Sequence, residues 1–191
     1  MEFRNPFSSI VTHPGSAHKD DILACAVCLA VHPVPVERKD PTEPELSDPS
    51  IAVIDVGGRY EADRNNFDHH QFPRDHDPVC SLSLVLQALG KYERAKQFCS
   101  WLEPAEWLDC RGPKETAEFL GVPREAIGQL NSPIDVTLLR RFASKARIEP
   151  NDPLHAVLRM IGEDLLSYID GLEKKMEFLK SHAKLWKRNG R

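Results

Sequence analysis

Within its first 70 residues the chain places three separate groups of imidazoles and carboxylates, two of them directly beside a short apolar run. They are His13-Pro14-Gly15-Ser16-Ala17-His18-Lys19-Asp20-Asp21, then Asp55 closing the run Ile51-Ala52-Val53-Ile54, then Asp68-His69-His70. Apolar runs that end in His or Asp are how an α/β sheet delivers polar ligands to its carboxyl edge. Ser8 to Thr12, Val34 to Arg38 and Ile51 to Val56 read as strands, and Asp20 to Val31 as a helix that is apolar on most faces and hence buried. Tyr60 to Asp68 holds a further, irregular edge. This alternation predicts an α/β fold with a mostly parallel sheet flanked by helices. Asp40 to Pro49, rich in Pro and acids, reads as a surface loop.

After Asp77-Pro78 the character changes. Val79 to Leu89, Tyr92 to Leu102, Lys114 to Leu120, Arg124 to Leu130 and Asp135 to Lys145 all read as helical. Asp109-Cys110-Arg111-Gly112-Pro113 reads as a loop. Asn151-Asp152-Pro153 is a good N-cap and first turn for a long helix reaching toward Lys187. The expected organisation is a metal-binding α/β domain over 1–130 and a helical C-terminal region over 131–191.

Bulk properties narrow the partners. The 191 residues carry a net charge of -4, which gives no overall attraction for nucleic acid. The last stretch is basic, however: Lys174, Lys175, Lys180, Lys184, Lys187, Arg188 and Arg191 suit either a solvated helix face or a nucleic-acid grip. No apolar run approaches the ~20 residues of a membrane span, and the N-terminus lacks a signal-peptide layout. A cytoplasmic location is expected, with reduced thiols among the five cysteines. Cys25 and Cys28 form C-x-x-C inside an apolar helix, with no second pair to complete a zinc site, so they read as buried small hydrophobes. Apolar faces in the helical half would serve a homodimer or pack on the sheet.

Each polar group carries its own chemistry. His13, His18 and Asp20 span a strand end and a helix start, and imidazole with carboxylate suits first-row divalent metals. Asp55, at the end of a buried strand, needs cations or donors; either two metals or the Gly57 and Gly58 amides would satisfy it. His69 and His70, adjacent on extended backbone, should point to opposite sides. One then binds metal while the other faces substrate or supports a metal ligand from behind, and Asp68 can orient a ligating imidazole through its second nitrogen. Closing a two-metal site needs a further acid. Asp109 is the best candidate, ahead of Asp135 and Asp170. Arg59, Arg64, Arg74 and Arg111 lie near these groups, and any of them could grip a phosphate, Arg59, Arg74 and Arg111 being the candidates carried forward.

The pattern Thr12-His13-x-Gly15-x-x-His18-x-Asp20, Asp55-Val56-Gly57-Gly58-x-Tyr60 and Phe67-Asp68-His69-His70-Gln71 resembles the DHH phosphoesterase superfamily. It is most similar to the melanocyte-proliferating-gene family, in a shortened form. The resemblance spans roughly residues 8 to 90, with a looser continuation to Asp109. It implies two Mn²⁺-like ions (Mg²⁺ being the alternative) bridged by Asp55. By analogy His13 and His18 join Asp55 on one ion, Asp20, His69 and Asp109 join it on the other, and His70 sits beside the scissile phosphate. The implied activity is 3′→5′ exonucleolytic hydrolysis of short or single-stranded RNA. A small-molecule phosphatase, pyrophosphatase or nucleotide phosphodiesterase is the alternative, and a non-catalytic metal-binding scaffold a third reading. The Gly-Gly-Gly-His run that many DHH nucleases carry is missing.

Overall fold

The computed structural model describes residues 2–129 and 131–184. Its centre is a six-stranded sheet in the order β4-β5-β3-β1-β2-β6. The strands are β1 (Ser9–Thr12), β2 (Val36–Arg38), β3 (Ile51–Ile54), β4 (Tyr60–Glu61), β5 (Asn66–Phe67) and β6 (Arg147–Ile148). The pairs β1/β2, β1/β3 and β3/β5 are parallel; the outer pairs β4/β5 and β2/β6 are antiparallel. The mostly parallel sheet expected from the sequence is therefore present, flanked by helices and followed by a helical C-terminal region.

Side-chain alternation along the strands makes two unequal layers. Ile10, Ala52, Ile54, Val36 and Phe67 face the main core, while Val11 and Val53 face a small one with Leu46. Leu46 belongs to α2 (Glu43–Ser47), a short helix inside the segment read as loop. Its start is set by Thr42, whose backbone N–H and hydroxyl both donate to Glu45, the S/T-x-x-E capping pattern.

The main layer is built on α1 (Lys19–Val31), whose residues are buried along nearly its whole length. Cys25 and Cys28 are fully buried in it. It packs between α3 (Ser81–Ala88) and α8 (Pro153–His182). α8 starts where the sequence places its cap, with Asp152 accepting from the Leu154 N–H. The expected extension of α8 to Lys187 and the basic residues Lys187, Arg188 and Arg191 lie outside the described residues. Between α3 and α8 run α4 (Tyr92–Phe98), α5 (Leu102–Leu120), α6 (Arg124–Gly128) and α7 (Pro133–Ala143).

One expectation fails at α5. Asp109 to Pro113 is not a loop but the middle of a kinked helix, broken at Gly112 with φ 76°. Pro113 lacks an N–H and its ring crowds the carbonyl four residues back, that of Asp109. The kink is where the glycine absorbs this conflict. Asp109 is consequently presented by the last turn of a helix. No helix among the described residues is long and apolar enough to cross a membrane.

Candidate metal centre

The strand register assembles the site. Thr12 pairs with Ile54 across β1/β3, and Ile54 with Phe67 across β3/β5. All three strands are parallel, so His13, Asp55 and Asp68 each stand one residue past an aligned strand end. The carboxyl edge of the sheet thus brings the three sequence groups together. α1 then adds His18 from its N-cap and Asp20 and Asp21 from its first turn, and α5 adds Asp109 and Cys110.

Asp55 occupies the middle. It is buried, and its backbone is left-handed at φ 60°, a conformation that costs a non-glycine residue about 1–3 kcal/mol and clusters at functional sites. One of its oxygens is 3.1 Å from His69 Nε2 and the other 3.5 Å from His13 Nε2. His69 Nε2 also lies 2.9 Å from an Asp109 oxygen, and His13 Nε2 2.8 Å from an Asp21 oxygen. His18 Nδ1 is 3.7 Å from Asp109.

Except for the His18 pair these atoms are within hydrogen-bond distance, yet none of the pairs forms a hydrogen bond. His13 Nε2, Asp20 Oδ1, Asp21 Oδ2, Asp55 Oδ1 and His69 Nε2 are all buried and lack a hydrogen-bond partner among the described residues. A buried polar atom without a partner is costly and calls for an explanation. Five of them converging from three strand ends and a helix fit one: lone pairs directed at cations. Four sets of ligand atoms lie within 4.8 Å of one another: His13, His18, Asp55; Asp55, His69, His70; His18, Asp20, Asp109; and His69, Asp109, Cys110. Mixed imidazole and carboxylate donors suit first-row divalent ions.

The electrostatics agree with such a cluster. Burial pushes Asp20 well above the usual carboxylate range, with Asp55 and Asp109 adding like-charge repulsion. Burial likewise raises Asp55. For His69 burial opposes protonation, but Asp109 and Asp55 outweigh it and push the imidazole up to about 12. The Asp21 carboxylate, assisted by the Pro14 carbonyl, pushes His13 up to about 9. Arg38 adds a guanidinium 3.9 Å from Asp21, and metal binding among such groups would release the protons they hold.

His69 and His70 do not diverge as expected. β5 stops at Phe67, so the pleat no longer alternates side chains, and both rings approach Asp55, their centroids 4.4 Å apart. His70 Nδ1 donates to Asp68 at 2.7 Å, and the remaining Asp68 oxygen accepts from the Gly58 N–H at 2.6 Å. Asp68, not Asp55, is therefore what the Gly57-Gly58 turn satisfies. A cavity of about 280 Å³ next to the cluster is lined by His69, His70, Asp109, Arg74 and Arg111 among others. Arg74 is paired with Glu115, and Arg111 donates to the His76 carbonyl. Arg59 lies outside this cavity, with both Glu43 oxygens accepting from its Nη2.

Three site residues were not legible as such. Asp21, fully buried, accepts from the His18 N–H through one oxygen and faces His13 with the other; in the sequence it is only a second acid in a helix's first turn. Arg38 at the end of β2 donates to the Gly15, Ser16 and Phe142 carbonyls and lies over the Phe142 ring, pinning the His13–His18 loop. Cys110 Sγ lies 3.7 Å from His69 Nδ1 and donates to the Val79 carbonyl; its one signal was adjacency to Asp109.

Comparison with known proteins bears on the strand-end motifs. Residues 9–92 match the MYG1 exonuclease family model. That family is described as an uncharacterised protein family, UPF0160. The MYG1 protein of Chlamydia trachomatis is 39% identical over 64 residues, 33% of this chain and 22% of the relative. The MYG1 protein of Chlamydia pneumoniae is 31% identical over 104 residues, 53% of this chain and 31% of the relative. The human MYG1 exonuclease is 40% identical over 63 residues, 32% of this chain and 17% of the relative. The chain thus aligns with less than a third of the length of each of these relatives. No solved structure matches it significantly. The matched segment carries His13, His18, Asp20, Asp55, Asp68, His69 and His70, while Asp109 lies beyond it.

Proposed function

We propose that this chain is a metal-dependent phosphoester hydrolase of the DHH kind, acting as a Mn²⁺-dependent 3′→5′ exonuclease on short or single-stranded RNA in the cytoplasm. In this reading residues 1–130 carry the metal centre and 131–191 are a helical addition. The observation that carries it is the set of five partnerless buried ligand atoms, Asp55 Oδ1 among them, gathered at the carboxyl edge of the sheet. The match of residues 9–92 to the family model, and of 63 residues to a protein named exonuclease, supports the reaction class.

His13, His18 and Asp55 would hold one ion, and Asp55, Asp20, His69 and Asp109 the other. Ions held there supply Lewis-acid polarisation of a phosphoryl oxygen and lower the pKa of water. The chain's own groups do the rest. Asp68 fixes His70 through Nδ1, which leaves Nε2 to donate a proton to a phosphoryl oxygen or to the departing alkoxide. Arg74 and Arg111 line the same cavity and add positive charge where the phosphate enters.

The direct test is hydrolysis of a 5′-labelled oligoribonucleotide with Mn²⁺, resolved by product length. A ladder shortening from the 3′ end is the expected result. An intact oligonucleotide with rapid turnover of pyrophosphate or mononucleotides would replace the exonuclease by a small-molecule phosphoesterase. No turnover of any phosphoester by metal-loaded protein would leave only a scaffold.

Cys110 supplies a second test. Ligating histidines are aimed by the partner of their other ring nitrogen, and losing that partner typically weakens metal binding 10- to 100-fold. Here the partner of His69 Nδ1 is a thiol. Cys110→Val is expected to weaken Mn²⁺ binding by about ten-fold or more by isothermal titration calorimetry, with Cys110→Ser in between. An unchanged Mn²⁺ affinity in both variants would remove Cys110 from the site.

A further inference from the structure

A groove of about 760 Å³ runs between α1, α5 and α6. Its walls include Leu23 of α1, Trp101 at the N-cap of α5, Leu108 and Leu120 along α5, and Ile127 of α6. Trp101, Leu108 and Leu120 are 41%, 38% and 39% exposed, so this is apolar surface held open to water. Concave apolar surface with few polar groups is the usual form of a small-molecule site.

The groove does not stand apart from the metal centre. A smaller hollow, lined at one end by His18, Asp20 and Asp109, shares Lys19, Ala105, Leu108 and Asn131 with it. Trp101, Ala105 and Leu108 follow the i, i+4, i+7 spacing of one helix face. At 1.5 Å per residue, Trp101 lies roughly 10 Å along the axis from Leu108, the neighbour of Asp109. A molecule with its phosphate at the cluster and its body in the groove is therefore of about nucleoside size. Inorganic pyrophosphate would leave the groove unused.

Charge fits the same occupant. Lys19 stands at the junction, 41% exposed and only loosely paired with Asp135 at 3.6 Å. Arg124 lines the far end, with Glu125 beside it. A cation next to the acid-rich cluster, followed by an apolar floor, suits an anionic ester with a flat uncharged body.

We infer that this groove seats the flat apolar part of the substrate next to its scissile phosphate, and that Trp101 and Leu120 are specificity-determining residues. The inference rests on the cluster being a phosphoester-hydrolysing metal centre. It makes the chain selective for organic phosphoesters carrying a ring system.

The test compares adenosine 5′-monophosphate with ribose 5-phosphate by isothermal titration calorimetry on Mn²⁺-loaded full-length chain. The nucleotide is expected to bind at least about ten-fold tighter, the order of one stacked ring. Trp101→Ala and Leu120→Glu should each bring the two ligands to within about two-fold, with Mn²⁺ and ribose 5-phosphate affinities unchanged. Two positions are tested so that one misfolded variant leaves the other informative. Equal affinities in the unmodified chain, or a preference that survives both substitutions, would overturn the inference. If the chain binds no Mn²⁺, the metal-centre reading fails, and the same nucleotide preference, measured without metal, still decides whether the groove binds the ring.

Discussion

Asp55→Ala is expected to reduce bound Mn²⁺ to background in calorimetry and to lower phosphoester turnover by about a thousand-fold. The carboxylate is shared: one oxygen faces His69 and the other His13, from opposite sides of the cluster. No other acid among the described residues falls in both the His13–His18 and the His69–His70 sets. Removing it takes a ligand from both. Losing Lewis-acid stabilisation of several kcal/mol, ~4 kcal/mol here, corresponds to about three powers of ten in rate. Stability should move the other way. Asp55 is a left-handed residue with a buried carboxyl whose pKa burial raises. A carboxyl raised in the fold opposes folding most fully above its folded pKa, an effect that fades as the pH falls through that value and is gone below the unfolded pKa. Asp55→Gly removes both the strain and the buried charge. The metal-free Asp55→Gly chain is expected to melt a few degrees above the metal-free unmodified chain at pH 7, while binding no metal. Near-normal metal content and turnover in Asp55→Ala would sink the proposed mechanism.

The parts of the fold that were legible in the sequence are those where period and polarity agree. Ile51-Ala52-Val53-Ile54 is too apolar for an exposed strand and ends in an acid, so both the buried strand and the polar group at its end were readable. Parallel pairing then forces His13, Asp55 and Asp68 to one edge. Features set by tertiary contact were not readable. β6 is two residues, Arg147 and Ile148, too short for any period, and exists because β2 offers an open edge. α2 was hidden in a Pro-rich acidic stretch although Thr42-x-x-Glu45 marked its start. Asp109 follows an apolar stretch in the sequence, but Gly112-Pro113 reads there as a loop. In the fold the preceding turn of helix survives, because Leu102 and Glu106 are anchored in the interior. The buried Glu106 carboxylate accepts from the Ser83 and Tyr92 hydroxyls. Asp21 and Cys110 act through neighbours that only the fold supplies.

Gly162→Ala tests the packing that holds α1, and with it half of the site, in place. Alanine in place of a mid-helix glycine normally stabilises by roughly 0.5–1 kcal/mol, through helix propensity. At Gly162 the sign should reverse. A Cβ there would fall 2.0 Å from the Ala26 carbonyl oxygen and 2.5 Å from its carbon, both backbone atoms of α1 that no rotamer change can move. The two helices would have to separate, opening the core around Leu158, Leu166 and Ile169. Overpacking of this kind costs about 1–3 kcal/mol or somewhat more. For a chain of this size, ~3 kcal/mol lowers Tm by roughly 6–12 °C. Gly171, on the same helix, has open space where its Cβ would be. Gly171→Ala is expected to leave Tm unchanged or raise it slightly, which calibrates the propensity gain. Because α1 carries His18 at its N-cap and Asp20 and Asp21 in its first turn, Gly162→Ala should also weaken Mn²⁺ binding, though no substituted residue touches the cluster. Equal melting temperatures for the two alanine variants would show that α8 does not lie against α1 as closely as the glycine requires.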